Sequence, residues 1–235
     1  VLPPSDLERA REIVARRLGL EIAERDLPTL GELLVQRIGA VGAQGARGYL
    51  DLLAAGNGGQ EELLALGERL TVGETFFFRH REHLRAFVEV AAPERLRRNA
   101  ESRTLRVLSA GCASGEEPFT LAILIRESLQ GCRATIRAVD LSSTSLARAT
   151  RGTYSTWSLR DVPEEVRERW FRADGRGYAL DESIRRMVSF EQGNLVDDGP
   201  AAWSAGTYDV VFCRNVLKYF RSEQARAVVA RFTRC

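Results

Sequence analysis

Lysine is almost missing from this chain. Of its 34 basic side chains only Lys218 is a lysine, a bias that reads as genome composition because arginine also fills plain helix faces. A charge surplus is missing as well. The 34 basic and 32 acidic side chains leave a net charge of +2, which removes the electrostatic footprint of a nucleic-acid binder. No stretch approaches the roughly 18 uninterrupted apolar residues of a membrane helix, so direct membrane insertion is not expected. Residues 1–11 hold no apolar signal-peptide run, and the cytoplasm is the expected compartment. Cys112, Cys132, Cys213 and Cys235 form no C-x-x-C pair. That argues against a zinc ribbon or a thioredoxin motif and for free thiols in a reducing compartment. His80 and His83 sit one helical turn apart with no third ligand beside them, so no metal site is expected. What remains is the balance of a globular protein, 44% hydrophobic and 28% charged over 235 residues, enough for one large domain or two unequal ones.

The first 70 residues read as helices separated by turns. Ser5 with Glu8, and Thr29 with Glu32, have the spacing of capping boxes. Leu7, Ala10, Ile13, Val14 and Leu18 follow helical periodicity, as do Leu30, Leu33, Leu34 and Ile38. Gly39, Gly42, Gly45 and Gly48 end one helix and loosen the start of the next at 49–54, and a further helix is expected over 61–70. Residues 1–70 carry 8 basic and 11 acidic side chains, a net charge of −3. After a loop at 71–78, a long charged helix is expected over 80–99.

From Leu105 onward the pattern changes. Short apolar runs at 105–110, 134–139 and 208–213 alternate with helical segments at 117–129, 142–151 and 222–233. This alternation predicts an α/β domain with a parallel sheet. Between the second and third runs lies 153–193, with strand-like pieces at 169–173, 178–180 and 186–191 around Asp174-Gly175. A small antiparallel hairpin inserted in the α/β domain accounts for it.

The stretch LRVLSAGCASGEEP at 105–118 carries most of the chemistry. A buried strand enters a glycine loop, and the loop opens a helix, the arrangement that binds ligands at the carboxyl ends of parallel strands. Gly111 and Gly115 permit close approach of the backbone. Asp140, at the end of the next strand and 25 residues after Gly115, is placed to accept hydrogen bonds from ribose hydroxyls. The loop is G-x-x-x-G rather than G-x-G-x-x-G, and Glu116 and Glu117 stand in the first helical turn. Two carboxylates there repel a pyrophosphate and suit a positively charged ligand such as the α-ammonium of S-adenosylmethionine. Part of their presence is explained by charge complementarity with the helix dipole, about 0.3–1 kcal/mol. A nicotinamide dehydrogenase is the weaker reading for the same reason.

Four motifs resemble the CheR-type chemotaxis-receptor glutamate methyltransferases, and the resemblance covers nearly the whole chain. TVGETFFFR at 71–79 is similar to the family's T-x-N-x-T-x-F-F-R, and SAGCASGEEPF at 109–119 to S-A-G-C-S-T-G-E-E-P-Y. FEQGNL at 190–195 is similar to F-x-x-x-N-L, and YDVVFCRNVLKYF at 208–220 to F-D-V-I-F-C-R-N-V-x-I-Y-F. The resemblance implies a Rossmann-like class I methyltransferase domain over 76–235, an all-α domain over 1–75, and an antiparallel β-subdomain inserted at about 153–193. It implies S-adenosylmethionine as cofactor and S-adenosylhomocysteine as product. The implied substrate is a glutamate in the cytoplasmic helical region of a chemoreceptor, methylated by a monomer.

Carried over by position, Thr75 and Arg79 contact the cofactor from the linker loop, with Arg79 at its carboxylate. Glu116 takes the ammonium, Ala110 and Gly111 pass the methionine part, and Asp140 binds the ribose. Asn194 and Leu195 hold the adenine, Arg214 and Asn215 line the pocket, and Tyr219 lies by the methyl group as the catalytic residue. Plain alternatives accompany some of these roles: Asn194 as a turn residue, Tyr219 as core filling, and Phe76, Phe77 and Phe78 as domain-interface core. The chain departs from the family in three places. Gly73 replaces an asparagine, 36–47 offers only Arg37 and Arg47 where a basic receptor-docking helix is usual, and the final strands are absent after Cys235. The last point leads to the expectation of a piece cut from a longer protein. A degenerate module that binds the cofactor or its demethylated product without turnover is the second functional reading.

Overall fold

The computed structural model describes residues 2–71, 73–197 and 204–235, with the backbone alone at Asn57. The chain divides into two compact units, one of residues 1–72, 194–198 and 215–233, the other of 73–193, 199–214 and 234–235.

The first unit is helical. Its N-terminal part holds α1 (Pro4–Leu18), α2 (Leu27–Val41), α3 (Gly45–Ala54) and α4 (Gln60–Leu70). Ile13, Val14 and Leu18 of α1, Leu30 and Leu34 of α2, Leu50 and Leu53 of α3, and Leu63 and Leu66 of α4 are buried, which is the face their periodicity predicts. Neither expected capping box forms. Pro4 is the first residue of α1 and Pro28 the second of α2, so both helices begin before Ser5 and Thr29 and no N-cap side chain bonds either of them. Gly42 ends α2 in the left-handed region at φ +65°, as expected of the glycine run. Among these helices Glu62 is buried, accepting from Tyr49 Oη at 2.6 Å and from Arg37 Nε at 2.8 Å, with Arg37 Nη2 on its second oxygen.

The same unit includes a 3₁₀ turn at Leu217–Tyr219 and α11 (Ser222–Phe232). A short antiparallel pairing joins this segment to the end of α1. Glu21 N–H donates to the Tyr219 carbonyl at 2.8 Å, and Arg221 N–H to the Gly19 carbonyl at 2.9 Å. Gly19 sits at φ +74°, and a Cβ there would meet Val196 Cγ1 at 2.5 Å, so only glycine fits.

The second unit is α/β. Its main sheet has β1 (Thr104–Ala110), β2 (Arg133–Asp140), β6 (Val188–Gln192) and β7 (Val210–Phe212), all parallel, in the order β6-β2-β1-β7. Val107 faces Ile136 on one side and Val210 on the other. The segment 186–191 is therefore not part of the inserted hairpin. It supplies the main sheet's edge, with Ile136 opposite Val188. The antiparallel sheet is made by β3 (Thr153–Tyr154), β4 (Phe171–Asp174) and β5 (Gly177–Leu180), in the order β3-β5-β4. The expected strand at 169–173 is shorter, because α9 (Glu164–Trp170) runs through Arg169 and Trp170, whose indole donates to Glu127 at 2.9 Å.

The long helix expected over 80–99 is α5 (Arg81–Ala86), a π-helical turn (Phe87–Ala91) and α6 (Ala92–Arg98). Pro93 lacks the N–H that would reach back four residues, and the turn before it widens so that Ala92 N–H bonds the Phe87 carbonyl. The remaining helices are α7 (Glu116–Ser128), α8 (Ser143–Arg151) and α10 (Glu182–Arg185). Phe77 and Phe78 are core residues of this unit itself. Phe77 is fully buried and packs edge-on against Tyr154 at 4.8 Å and Phe171 at 5.0 Å, which fastens the loop before α5 to the antiparallel sheet. Phe76 is half-buried at the surface, where the Arg160 guanidinium lies between its ring and that of Trp157.

Candidate functional site

In this sheet β2 lies on one side of β1 and β7 on the other. The chain thus changes direction beside the carboxyl end of β1, where open α/β sheets bind ligands. Ser109 and Ala110 bring that end to the loop fully buried. Gly111 turns the backbone at φ +76°, and the N–H groups of Gly111 and Cys112 both donate to the Val139 carbonyl, at 2.8 and 3.1 Å. Ala113 and Gly115 are also left-handed, at φ +46° and +92°. Ala113 is held there by Asp140, whose Oδ2 accepts its N–H at 2.7 Å while Oδ1 accepts from Ser142 N–H at 2.9 Å. The residue expected at the ribose thus also shapes the glycine loop. Gly115 has no substitute. An added Cβ would meet Ala149 Cβ at 2.8 Å and Tyr154 Oη at 3.1 Å, and Tyr154 Oη already donates to the Ser114 carbonyl at 2.9 Å.

Two glutamates open α7, and their surroundings differ. Glu116 is 2% exposed. Its Oε2 accepts from the Ser114 hydroxyl at 2.7 Å and its Oε1 from the Ser158 hydroxyl at 3.2 Å. Among the described residues it makes no ion pair. Burial pushes the Glu116 carboxyl above the usual carboxylate range, against the pull of Ser114, Ser158 and the Arg148 charge. Glu117 is also buried, but it is paired. Ser109 Oγ donates to its Oε1 at 2.8 Å and Arg214 Nε to its Oε2 at 2.6 Å. Arg214, at the end of β7, also donates Nη1 to the Arg79 carbonyl at 2.6 Å. Burial raises the neighbouring thiols too: Cys112 goes well up and Cys213 is pushed up to about 12, so neither is a nucleophile at neutral pH.

Arg79 stands between two left-handed residues, Phe78 at φ +60° and His80 at φ +57°. Its loop is held by main-chain bonds. Phe77 N–H donates to the Ser158 carbonyl at 3.0 Å and Phe78 N–H to Thr120 Oγ1 at 3.1 Å. Thr120 Oγ1 in turn donates to the Glu116 carbonyl at 2.6 Å. The Arg79 guanidinium donates to the nearby Glu74 carbonyl at 3.0 Å and lies over the Phe76 ring, 5.5 Å from its centre. Thr75 lies half-buried upstream in this loop. A Cβ on Gly73 would lie 3.5 Å from Ser145 Oγ and 4.0 Å from Ala113 Cβ, so the asparagine of the family motif would start beside the glycine loop. Val72 of the same motif lies outside the described residues.

Thr75, Arg79, Ala110, Gly111, Glu116, Asp140 and Arg214 thus fall in the α/β unit, while Asn194, Leu195, Asn215 and Tyr219 belong to the helical one. Asn194 is buried. Its Nδ2 donates to the Arg17 carbonyl at 2.8 Å and to Asp197 Oδ1 at 3.1 Å, and its Oδ1 accepts from Val196 N–H at 3.3 Å. One amide hydrogen is thereby engaged within the 194–197 turn and the other on the last turn of α1. Leu195 is buried, and its carbonyl accepts from Arg231 Nη1 at 2.5 Å. Asn215 is left-handed at φ +61°. Tyr219 is half-buried with Lys218 Nζ 4.9 Å from its ring centre. Sequence reasoning missed Ser158 and the Ser109–Glu117–Arg214 arrangement. Ser158 lies 42 residues from Glu116 in a stretch without a motif, so nothing local marks it.

Comparison with known proteins fits this site. Residues 73–235 match the family model described as CheR methyltransferase, SAM binding domain. The chain is 35% identical over 214 residues to a Pseudomonas putida protein named "Probable biofilm formation methyltransferase WspC", covering 91% of this chain and 49% of that one. It is 32% identical over 237 residues to chemotaxis protein methyltransferase 2 of Vibrio cholerae, covering 99% and 81%. It is 34% identical over 227 residues to chemotaxis protein methyltransferase 1 of Pseudomonas aeruginosa, covering 93% and 75%. The chain spans about half the length of the WspC proteins it matches. The family match begins at Gly73, where the α/β unit begins. It therefore takes in the glycine loop, the unpaired Glu116 and the Arg79 loop together, and the chain belongs to the CheR methyltransferase family, whose ligand is S-adenosylmethionine.

Proposed function

We propose that the chain transfers the methyl group of S-adenosylmethionine to glutamate side chains in the cytoplasmic helical region of a chemoreceptor, forming methyl esters. Glu116 carries the reading. A buried carboxylate that forms no ion pair among the described residues is incomplete without a cation against it, and the α-ammonium of the ligand supplies one. When bound, S-adenosylmethionine supplies a methyl group on positively charged sulfur. The chain's own residues do the rest. A free glutamate has a pKa of about 4.3, so the substrate arrives ionised and needs no general base. Positioning and exclusion of water are the work required. The Arg79 fork takes the ligand carboxylate, with Thr75 beside it. The backbone at Ala110 and Gly111 passes the methionine part, and Asp140 accepts from the ribose. The roles of Asn194 and Leu195 at the adenine, of Asn215 in the pocket and of Tyr219 beside the methyl group rest on the motif match alone.

We take the working organisation to be a helical domain at 1–75 and a methyltransferase domain at 76–235, acting as a cytoplasmic monomer. Relatives named for chemotaxis and for biofilm formation support a substrate in a signalling system. Incubation with methyl-labelled cofactor and receptor cytoplasmic fragments tests the reading. Base-labile label on receptor glutamates supports it. A protein that binds the cofactor and labels no receptor favours instead a non-catalytic binding module, the reading to which Gly73 lends weight.

A further inference from the structure

We propose that Glu117 is a positioning residue for the ligand's carboxylate: it holds Arg214, and through Arg214 the main chain of Arg79, so that the Arg79 guanidinium projects from a fixed point. The proposal rests on the ligand reading above and adds a residue that does not itself touch the ligand. Glu117 is 8% exposed and has both oxygens engaged, one by Ser109 Oγ and the other by Arg214 Nε. Ser109 is a rigid anchor, since it lies fully buried on the central strand β1. Arg214 uses one edge of its fork for Glu117 and another nitrogen, Nη1, for the Arg79 carbonyl at 2.6 Å. Only arginine presents two donors at that separation, and a lysine ammonium is a point donor.

What Arg214 holds is a strained turn. Phe78 and His80, on either side of Arg79, both have φ near +60°, a conformation that residues with a side chain adopt only under strain. Thr120 fixes the turn at the Phe78 N–H and Arg214 fixes it at the Arg79 carbonyl. The Arg79 side chain, by contrast, has only near neighbours in its own loop among the described residues, the Glu74 carbonyl and the face of the Phe76 ring, and can exchange the carbonyl for a carboxylate. A fixed backbone with a loosely held guanidinium is the arrangement of a preorganised anion clamp. A helix-dipole role for Glu117 alone requires neither Ser109 nor Arg214.

The test uses two ligands and calorimetry on the chain. S-adenosylhomocysteine carries the amino-acid carboxylate, and methylthioadenosine lacks it. Glu117→Gln keeps the shape and removes the anion that holds Arg214. It is expected to lose about tenfold in affinity for S-adenosylhomocysteine with methylthioadenosine unchanged, and Arg79→Ala should match it. The double variant should lose no more than either single one. Should Glu117→Gln fail to fold, Ser109→Ala takes its place, with about a threefold loss on the first ligand alone. Equal losses on both ligands, or none on either, overturn the proposal while leaving the ligand reading intact. Absence of binding by the unaltered chain overturns both.

Discussion

Replacing Glu116 by Gln should make the protein more stable and a poorer binder. In the free protein this carboxylate is buried with two serine hydroxyls and its own backbone N–H, and burial outweighs them and the more distant Arg148 charge, so its charge opposes folding at neutral pH. Glutamine has the same shape. The Ser114 and Ser158 hydroxyls can donate to its oxygen or accept from its amide. Removing such a charge is worth about 1 kcal/mol of stability, a rise of about 2–4 °C in Tm for a chain of this size. With ligand the sign reverses. A carboxylate and an ammonium about 3 Å apart attract by about 5 kcal/mol at an effective dielectric constant of about 20. Desolvation of the ammonium takes back much of this, leaving the ~1.5–3 kcal/mol typical of a charged hydrogen bond, or about tenfold to 150-fold in Kd. Calorimetry with S-adenosylhomocysteine and a thermal melt of the free chain read the two effects. The pH dependence gives an internal check. The Glu116 carboxyl titrates above the usual range because it is buried, and the ammonium needs it ionised. Affinity should be full above that raised value and fall as pH drops through it, and the Gln variant should show no such fall. A variant that binds as tightly as the unaltered chain, or that loses Tm together with affinity, would refute the assignment of Glu116 to the ammonium.

Three further outcomes are expected. Gly115→Ala forces a side chain into φ +92° and sets its Cβ 2.8 Å from Ala149 Cβ, so calorimetric affinity for S-adenosylhomocysteine should collapse and stability should drop by at least ~2 kcal/mol. Tyr219→Phe should lower turnover more than affinity in a methyl-transfer assay, and equal activity would remove Tyr219 from the reaction. Burial raises the Glu62 carboxyl but Arg37 and Tyr49 outweigh it, holding it below the usual range. The stability it lends is therefore present above the ordinary carboxylate pKa and lost as pH falls through the lower folded value. Glu62→Gln should cost ~3 kcal/mol at pH 7, and much less at pH 3, in denaturant titrations.

Periodicity was a good guide wherever one helix face or one strand run settled the matter. The expected segments at 117–129, 142–151 and 222–233 differ from α7, α8 and α11 by one residue at most at either end. It misled where a neighbour or a proline intervened. Ser5 and Thr29 have capping-box spacing, yet each follows a proline already pre-set for the first helical turn, so the helix starts upstream. Trp170 has strand propensity, yet it closes α9, where its indole reaches Glu127 43 residues away. The run at 186–191 was legible as a strand, but its sheet was not. Pairing with β2 depends on Ile136 meeting Val188 across more than fifty intervening positions, and no local pattern encodes that.

The candidate site shows the same division more sharply. Glu116 and Glu117 are neighbours of one type in one motif, and the motif carries them as a pair. About 100° of helix rotation separates them. That turn sends one carboxylate to Ser114 and Ser158 and the other to Ser109 and Arg214. Arg214 is 97 residues away along the chain, and it arrives only because β7 lies beside β1 in the order β6-β2-β1-β7. Were β7 elsewhere in the sheet, Glu117 would be a second buried carboxylate without an ion pair, and the first turn of α7 would no longer distinguish the group that receives a cationic ligand from the group that supports the loop. The chemistry of the two glutamates is thus decided by strand order, a property of the whole α/β unit that no window of sequence around positions 116 and 117 contains.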